Sequence, residues 1–587
     1  KEGFDNDTLF FAKAAYIELS IFDIVLGNVD IKRVIVDNGI INIKYNSDNQ
    51  PNFAIFKTNE NTKNNLSLNN IILLNTQLKF NSNNIAISWE TEQTTLSLNG
   101  EIINIDAKLF AEKLAIHNRD YIHKKQVNLH ASIALKTDSI LIRKGTTILI
   151  ENVSADLFGG IFKGTTIDLN FACEGQELSN IINHTPEHLK SIYRSFNANG
   201  IVSCSGNVKG LIQKGNNPNL DMVCSITKGN FKLKSRPFIL KNISLSATIN
   251  NGEQKNFRDT KISISNFASK TENGYLKGDF SIQNLNKYYL TANLNSSWDL
   301  AEINHYFEDS PFFNLQGELI ANTKYSGYIS FDSRFKNYFL AANHNTKANF
   351  KDAQFTYKNF PLEFNFKTAD CTFKNNIIEV ENSAITIADS DLNFTGNITD
   401  LIAYILHKRG RIDVTGNLNS TYIKFEEILT LKDLSEGEST GTLPTWISTS
   451  LNTNITTFSY NDFISSEITG ELAYKNQTLT GEGMRLNSLN GNIAGNFKFY
   501  ESVNKKLTLF SQINLKELNI RNAFLAFDNF KQDFITAEHI KGIGTAEIQM
   551  QATWKPGFIF EEEQLKVKSH LVIEKGELIQ FKPLESL

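Results

Sequence analysis

Short runs in which apolar and polar residues alternate recur along almost the whole chain. In the run Thr165–Cys173, Ile167, Leu169 and Phe171 occupy every second position, with Asp and Asn between them. Successive side chains of a β-strand point to opposite faces of the sheet, so each such run predicts a strand with one apolar face. The pattern therefore predicts a mainly β protein, an antiparallel sheet with one apolar and one wetted face. The same alternation occurs at Leu245, Ala247 and Ile249, at Phe364 and Phe366, and at Phe497 and Phe499.

The stretch from Phe10 to Phe56 holds three of these runs in close succession. Asp37-Asn38-Gly39 is a hairpin-turn signal, because Asn and Gly tolerate the positive φ that a tight turn requires. The stretch predicts a strand, a short helix or loop near Asp23–Gly27, and a β-hairpin that a turn at Asn49–Asn52 closes.

A looser pattern places a glycine inside many strands, between an apolar or Thr position and a polar–apolar pair. Glycine inside a strand marks a bend, a bulge or a close approach of two backbones. Its recurrence favours one extended, repetitive sheet over several separate domains, while the irregular spacing argues against a solenoid of fixed period. The glycines of this repeat are Gly100, Gly278, Gly317, Gly396, Gly416, Gly470 and Gly495.

Helical patterns are few and short. Pro186 is expected to break the first of them. The acidic segment Glu436–Thr442 is rich in Ser, Thr and Gly and has no apolar residue, which predicts a linker and the main boundary in the chain. The predicted helical segments are Gln176–Phe196, Ser297–Ile303, Ile423–Leu434 and Ile520–Phe530.

Composition narrows the class of protein. A chain of 587 residues that is 41% hydrophobic can bury a large apolar surface. The net charge of −4, with both signs well mixed, argues against a nucleic-acid partner, which requires a basic face. Phe is frequent, at 43 residues, and accompanies much Asn, Thr and Ser, which is a β-sheet composition.

The four cysteines are far apart and form no CxxC pair. Cys173 continues the apolar face of Phe171 and is predicted to be a small core residue. Cys204 and Cys224 could pair in an oxidising compartment, and the sequence leaves that pairing open.

Catalytic signatures are absent from the sequence: there is no GxSxG, GxxxxGK[ST] or HExxH motif, and no GxGxxG between a strand and a helix. His184 and His188 have the nearest spacing to a metal site. Pro186 lies between them, and no third ligand is evident. We therefore predict a non-enzymatic protein with no metal and no cofactor.

Segments near both ends of the chain resemble the AsmA family. On this resemblance, residues 1–60 form the N-terminal signature segment, 61–435 an extended repetitive β-sheet region and 443–587 an AsmA-like C-terminal region. The matching segments are Ile24–Gly27, Ile35–Gly39 and Gln50–Phe53 in the first region, and Thr478–Met484, Leu489–Gly495 and Glu574–Leu584 in the last.

The resemblance implies a long, curved and twisted antiparallel sheet that forms an apolar groove, with a few short helices. It implies a location in the periplasm of a Gram-negative bacterium, anchored in the inner membrane by a helix upstream of Lys1. The implied function is to bind phospholipid and conduct it between inner and outer membranes in support of outer-membrane biogenesis. An outer-membrane or other envelope protein is the implied partner.

The apolar face itself allows two architectures, because a sheet must cover such a face. The predicted helices are too few, so the sheet either folds over itself as a sandwich or curls into an open trough. A closed sandwich suits a structural or adhesive surface protein. A third hypothesis is an enzyme that acts on envelope glycans. The resemblance implies the trough, whose expected lining is Ile167, Leu169, Phe171, Leu245, Ala247, Ile249, Phe364, Phe366, Phe497 and Phe499.

Overall fold

The structure is a computed structural model of the chain. It describes residues 8–22, 30–46, 50–53, 67–82, 84–163, 165–187, 190, 193–213, 217–234, 237–305, 312–357, 360–407, 409–429, 443–502, 504–555 and 559–580.

The described residues form one long sheet with few helices, so the prediction of a mainly β protein is confirmed. The strands are β1 Phe10–Leu19, β2 Asp30–Lys44, β3 Ser67–Asn81, β4 Ile85–Asn99, β5 Ile102–Ile116, β6 Arg119–Lys136, β7 Ser139–Ile150, β8 Val153–Phe162, β9 Thr166–Glu177, β10 Phe196–Leu211, β11 Asn219–Leu233, β12 Ile239–Asn250, β13 Lys261–Lys270, β14 Tyr275–Gln283, β15 Tyr289–Asp299, β16 Phe312–Tyr328, β17 Asn343–Tyr357, β18 Phe360–Lys374, β19 Ile377–Ile387, β20 Ser390–Thr399, β21 Ile412–Lys424, β22 Ile447–Tyr460, β23 Phe463–Lys475, β24 Thr478–Ser488, β25 Gly491–Glu501, β26 Leu507–Asn519, β27 Ile540–Lys555, β28 Ile559–Phe560 and β29 Lys566–Leu578.

The helices are short and follow the ends of strands. Two 3₁₀ turns, Asp528–Lys531 and Glu562–Gln564, accompany them. The helices are α1 Leu178–His184, α2 Leu300–His305, α3 Phe335–Ala341, α4 Leu401–His407, α5 Phe425–Leu429 and α6 Ile520–Ala526.

Strands pair almost entirely with their neighbours in sequence. Most of these ladders are antiparallel, but β2 pairs with β3 and β21 with β22 in parallel. The chain clusters into two compact units, one of residues 1–272 and 276–291 and the other of residues 273–275 and 292–587. The predicted linker Glu436–Thr442 lies outside the described residues.

The predicted alternation is visible in β5. Ala107, Leu109 and Ala111 are buried, whereas Asp106 and Lys108 between them are exposed. A period of two puts these two sets on opposite faces of the sheet. The strand therefore has one apolar and one polar face, as its sequence predicts.

The hairpin turn predicted at Asp37–Gly39 is wrong, because these residues lie inside the single strand β2. Asn38 adopts the expected positive φ, at 53°, but as a local irregularity in a continuous strand. Strand β2 is held along both edges, by β1 and by β3. These long-range ladders outweigh the local turn preference. The predicted helix or loop at Asp23–Gly27 lies outside the described residues.

The chain does turn back after β2, at Asn52. This side chain is buried, accepts a hydrogen bond from the Lys44 N–H at 3.1 Å and donates one to the Asn42 carbonyl at 2.8 Å. Asn49, the first residue of the predicted turn, lies outside the described part of the chain.

Each of the four predicted helical segments overlaps a short helix in the described residues. The segment Gln176–Phe196 contains α1 only as far as His184, since Gln176 belongs to β9 and Phe196 to β10. The helix ends two residues before Pro186, the residue expected to break it. The helices α3 and α4 were not predicted, because seven residues are too few for a clear helical period.

Candidate functional site: an apolar face in each unit

Residues directly opposite each other in a ladder project on the same face of a sheet, so pairing defines rows of side chains that cross the strands. In the first unit one such row, here called the Phe171 row, crosses β7 to β13. The row connects the predicted residues Phe171 and Ile249 through Gly206 and Met222, which the sequence patterns did not indicate. The row consists of Thr146, Leu157, Phe171, Gly206, Met222, Ile249 and Ile262.

The other predicted residues of the first unit lie on the same face. Leu169 and Ile167 are two and four positions from Phe171 along β9. Ala247 pairs with Cys224, and Leu245 pairs with Ile226, on β11. Ile167 and Ala247 are buried and Leu169 is half-buried. The face is thus apolar across adjoining rows as well as along them.

In the second unit a longer row, here called the Gly416 row, crosses every strand from β16 to β27 and ends on β29. All but one of its members are apolar or glycine, the exception being Ser511. The row consists of Ala321, Ala348, Cys371, Val380, Gly396, Gly416, Leu451, Leu472, Gly481, Phe497, Ser511, Met550 and Val567.

The remaining predicted residues of the second unit flank this row. Phe499 pairs with Leu479 and Leu509 in the adjoining row. Phe364 and Phe366 pair with Phe355 and Ala353 of β17, and the Phe355 ring stacks on both of them, with centroids 5.2 and 5.5 Å away. The structure thus brings each unit's predicted residues onto a shared face.

Aromatic rings lie across glycines in both rows. A Cβ on Gly206 would meet the Phe171 ring at 2.8 Å, and one on Gly481 would collide with the Phe497 ring. Each ring therefore covers the space that its partner glycine leaves open, and the two residues together keep the face filled with hydrocarbon.

Three clusters of buried apolar residues in the described part of the chain each join neighbouring strands. One cluster of buried residues includes Leu109 and Val127 and draws its members from β4 to β7. A second, around Phe267, spans residues of β11 to β14, and a third, around Ile455, spans β20 to β24. A sandwich core instead joins two facing sheets. Within the described residues, each of these clusters is lateral, meaning that it joins strands that lie side by side in one sheet.

The opposite face is polar. Asp168 and Lys209 form an ion pair at 2.8 Å beside Asn207, on the side of β9 and β10 away from Phe171. Hydrogen bonds from Lys209 and Asn207 hold the pKa of the Asp168 carboxyl below its ordinary value. The two faces of the same strands therefore differ sharply in polarity.

Cys371 lies in the Gly416 row as an apolar residue. Burial raises the pKa of its thiol to about 11. The thiol stays protonated at neutral pH and behaves as a small hydrophobic group.

Two cavities in the second unit are lined by consecutive residues of neighbouring strands, so residues of both faces contribute to each. One, of about 390 Å³, is lined by Ala353, Phe366 and Ile385 together with the residues on either side of them. The other, of about 800 Å³, is lined by members of the Gly416 row from Gly481 to Val567 together with the mostly polar residues on either side of them. Both volumes fall in the range of roughly 300–1,000 Å³ that is usual for small-molecule sites.

Sequence patterns had missed several members of these rows. Gly206 and Cys204 interrupt the apolar alternation of β10, so that strand carried no clear signal. The glycine repeat was the available clue in the second unit, since Gly396 and Gly416 of that repeat both fall in the same row.

No cluster of three or more metal-ligating side chains occurs in the described residues. Of the two histidines with metal-like spacing, His184 lies 2.9 Å from the Lys125 ammonium through its Nδ1 atom, and His188 lies outside the described part of the chain. None of the helices that the structure describes combines the length and apolarity needed to span a bilayer.

Comparison with models of protein families, with curated proteins and with solved structures found no match to this chain.

Proposed function

We propose that this chain is a non-enzymatic envelope protein that binds phospholipid and conducts it along an apolar β-groove. In this proposal each unit contributes a groove face, which carries the Phe171 row in the first unit and the Gly416 row in the second. The protein works in the periplasm of a Gram-negative bacterium, anchored in the inner membrane. It moves lipid between the two membranes in support of outer-membrane biogenesis, with an envelope protein as its partner.

The observation that carries the proposal is the continuity of the Gly416 row from β16 to β29. Neighbouring strands are about 4.8 Å apart, so the row offers an apolar track far longer than any one side chain. Each methylene that leaves water gains about 0.8 kcal/mol, which makes a bare two-chain lipid very costly to move through water. A continuous apolar track removes that cost.

The lateral character of the apolar clusters supports an open face over a sandwich. Their buried members are packed by side chains from adjacent strands, and the clusters contain no residue from a second, facing set of strands. The Cys204–Cys224 disulfide supports an oxidising compartment such as the periplasm, since disulfides are rare in the cytosol.

The experiment places a charge in the Phe171 row. Phe171→Glu is expected to put a carboxylate where acyl chains pass, at a cost of several kcal/mol against hydrocarbon. On an open face water can still solvate that charge, so the protein should fold. The measurements are circular dichroism, thermal stability and the amount of phospholipid that co-purifies. A photo-crosslinker at position 171 of the otherwise unchanged protein reports lipid contact directly.

Ser205→Glu is the matched control. Ser205 is exposed on β10, on the opposite face, beside Ala172 and Val223. It should retain both fold and lipid. Unfolding of Phe171→Glu, together with no lipid crosslink from position 171, would identify this face as the core of a closed sandwich and overturn the proposal.

A further inference from the structure

Three of the four cysteines form a row of their own on the apolar face. Cys204 of β10 is directly opposite Cys173 of β9 on one side and Cys224 of β11 on the other. Cys204 and Cys224 form a disulfide, and Cys173 is a free thiol. The row adjoins the Phe171 row, two positions along each strand.

The backbone geometry allows Cys204 to form a disulfide with either of its two neighbours, Cys173 or Cys224. The Cα atoms of Cys204 and Cys224 are 4.1 Å apart, as in the closer, non-hydrogen-bonded type of antiparallel pair. The backbone groups of Cys204 then point toward β9, which makes Cys173 its hydrogen-bonded partner, with a usual Cα separation of about 5.5 Å. Most disulfides have Cα separations of about 4.4–6.8 Å, a range that includes this second pair, so it can be bridged too.

The order of the three residues also suits exchange. A row runs across the strands, so the side chains of Cys173, Cys204 and Cys224 follow one another along one line. A thiolate exchanges by attacking one sulfur of a disulfide while the other sulfur leaves. Cys173 is on the far side of Cys204 from Cys224, which is the side from which that attack must come.

We propose that Cys173, Cys204 and Cys224 form a thiol–disulfide exchange site in which Cys204 bonds alternately to Cys224 and to Cys173. Cys173 gives its proton to water, and its thiolate attacks Sγ of Cys204. The bond between Cys204 and Cys224 breaks, Cys224 leaves as a thiolate, and it takes up a proton. One S–S bond forms as another breaks, so the step needs no oxidant or reductant.

Exchange shifts a covalent link from the β10–β11 pair to the β9–β10 pair, beside Phe171. It also exchanges the free thiol between half-buried Cys173 and buried Cys224. This inference rests on the ladder register and is independent of lipid binding.

The test maps disulfides in the whole protein without reduction. The oxidised protein is incubated at pH 8.5, alkylated with iodoacetamide, quenched with acid and digested with trypsin. Peptides that link Cys204 to Cys224 and peptides that link Cys204 to Cys173 are both expected, with label on both Cys173 and Cys224. Cys173→Ser should abolish the label on Cys224. Cys371→Ser, which removes the thiol outside the row, should leave the pattern unchanged.

Cys224→Ser should trap the Cys173–Cys204 bond. A folded Cys224→Ser protein in which Cys173 and Cys204 are both alkylated would overturn the proposal. Should that variant fail to fold, the wild-type protein decides. Label on Cys224 that disappears in Cys173→Ser supports exchange, and wild-type protein that contains only the Cys204–Cys224 link refutes it.

Discussion

At the scale of single residues, Gly396 and Gly416 show why the chain repeats a glycine inside its strands. The two lie directly opposite each other on β20 and β21. A Cβ on Gly416 would sit well inside contact distance of the Thr395 carbonyl oxygen, and one on Gly396 would do the same to the Thr415 carbonyl. The two backbones approach so closely that neither position has room for a side chain.

Gly416→Ala should therefore destabilise this part of the sheet strongly. Overpacking against backbone costs about 1–3 kcal/mol, because the neighbouring carbonyl cannot move aside as a flexible side chain can. We expect faster hydrogen exchange at the amides of β20 and β21. Gly544→Ala is the control, since its nearest neighbour would be the Ile520 side chain at 3.3 Å. Equal effects of the two substitutions would contradict this account.

At the scale of elements, the Asp391 carboxylate helps to fasten the end of β21 to the start of β20. Asp391 accepts hydrogen bonds from the Thr421 N–H at 3.0 Å and the Tyr422 N–H at 2.7 Å. Burial raises the pKa of Asp391, but these backbone hydrogen bonds outweigh it and leave the pKa below its ordinary value. The folded state therefore favours the charged form.

Asp391→Asn should cost stability at neutral pH, by about 1 kcal/mol, because hydrogen bonds to a charged acceptor are the stronger ones. A carboxyl whose pKa is lowered by folding stabilises the protein above its unfolded pKa, near 3.8. That contribution is lost as the pH falls through the lowered folded value. Urea unfolding from pH 7 down to pH 2 should show the variant and the wild type converging in acid.

Asp462→Asn, at an exposed position, should match the wild type throughout this range. A difference between Asp391→Asn and the wild type that persists undiminished at the lowest pH would show that the carboxylate's charge is not the cause.

At the scale of the whole molecule, the sequence predicts which residues share one face of a strand better than it predicts which residues pair across strands. Period-two alternation is local, so it correctly places Ile167 and Phe171 on one face of β9. Ladder register depends on pairing between distant segments, and no local pattern shows that Gly206 and Met222 connect Phe171 to Ile249. Register is set by how whole strands fit together.

The exposed last strand carries a prediction of its own. Among the described strands β29 pairs only with β27, and its residues are exposed along the whole strand. Lys566 and Lys568 alternate there with apolar Val567, and charges on an edge strand discourage pairing with another chain. Replacing both lysines with Val should promote self-association, measured by light scattering. The control replaces Lys261 and Lys270 with Val. These exposed positions mark the two ends of β13, a strand of the first unit, and a similar increase there would rule out an edge effect.

Nearest-neighbour pairing of the strands also bears on how the protein is made. In each ladder from β3 to β13, and again from β16 to β27, a strand finds its partner in the segment synthesised just before it. Such short-range contacts allow structure to grow as the chain emerges, since no early strand must wait for a late one. A chain that appears in an unfolded form from its N-terminus, whether from a ribosome or a translocation pore, could thus acquire its sheet strand by strand.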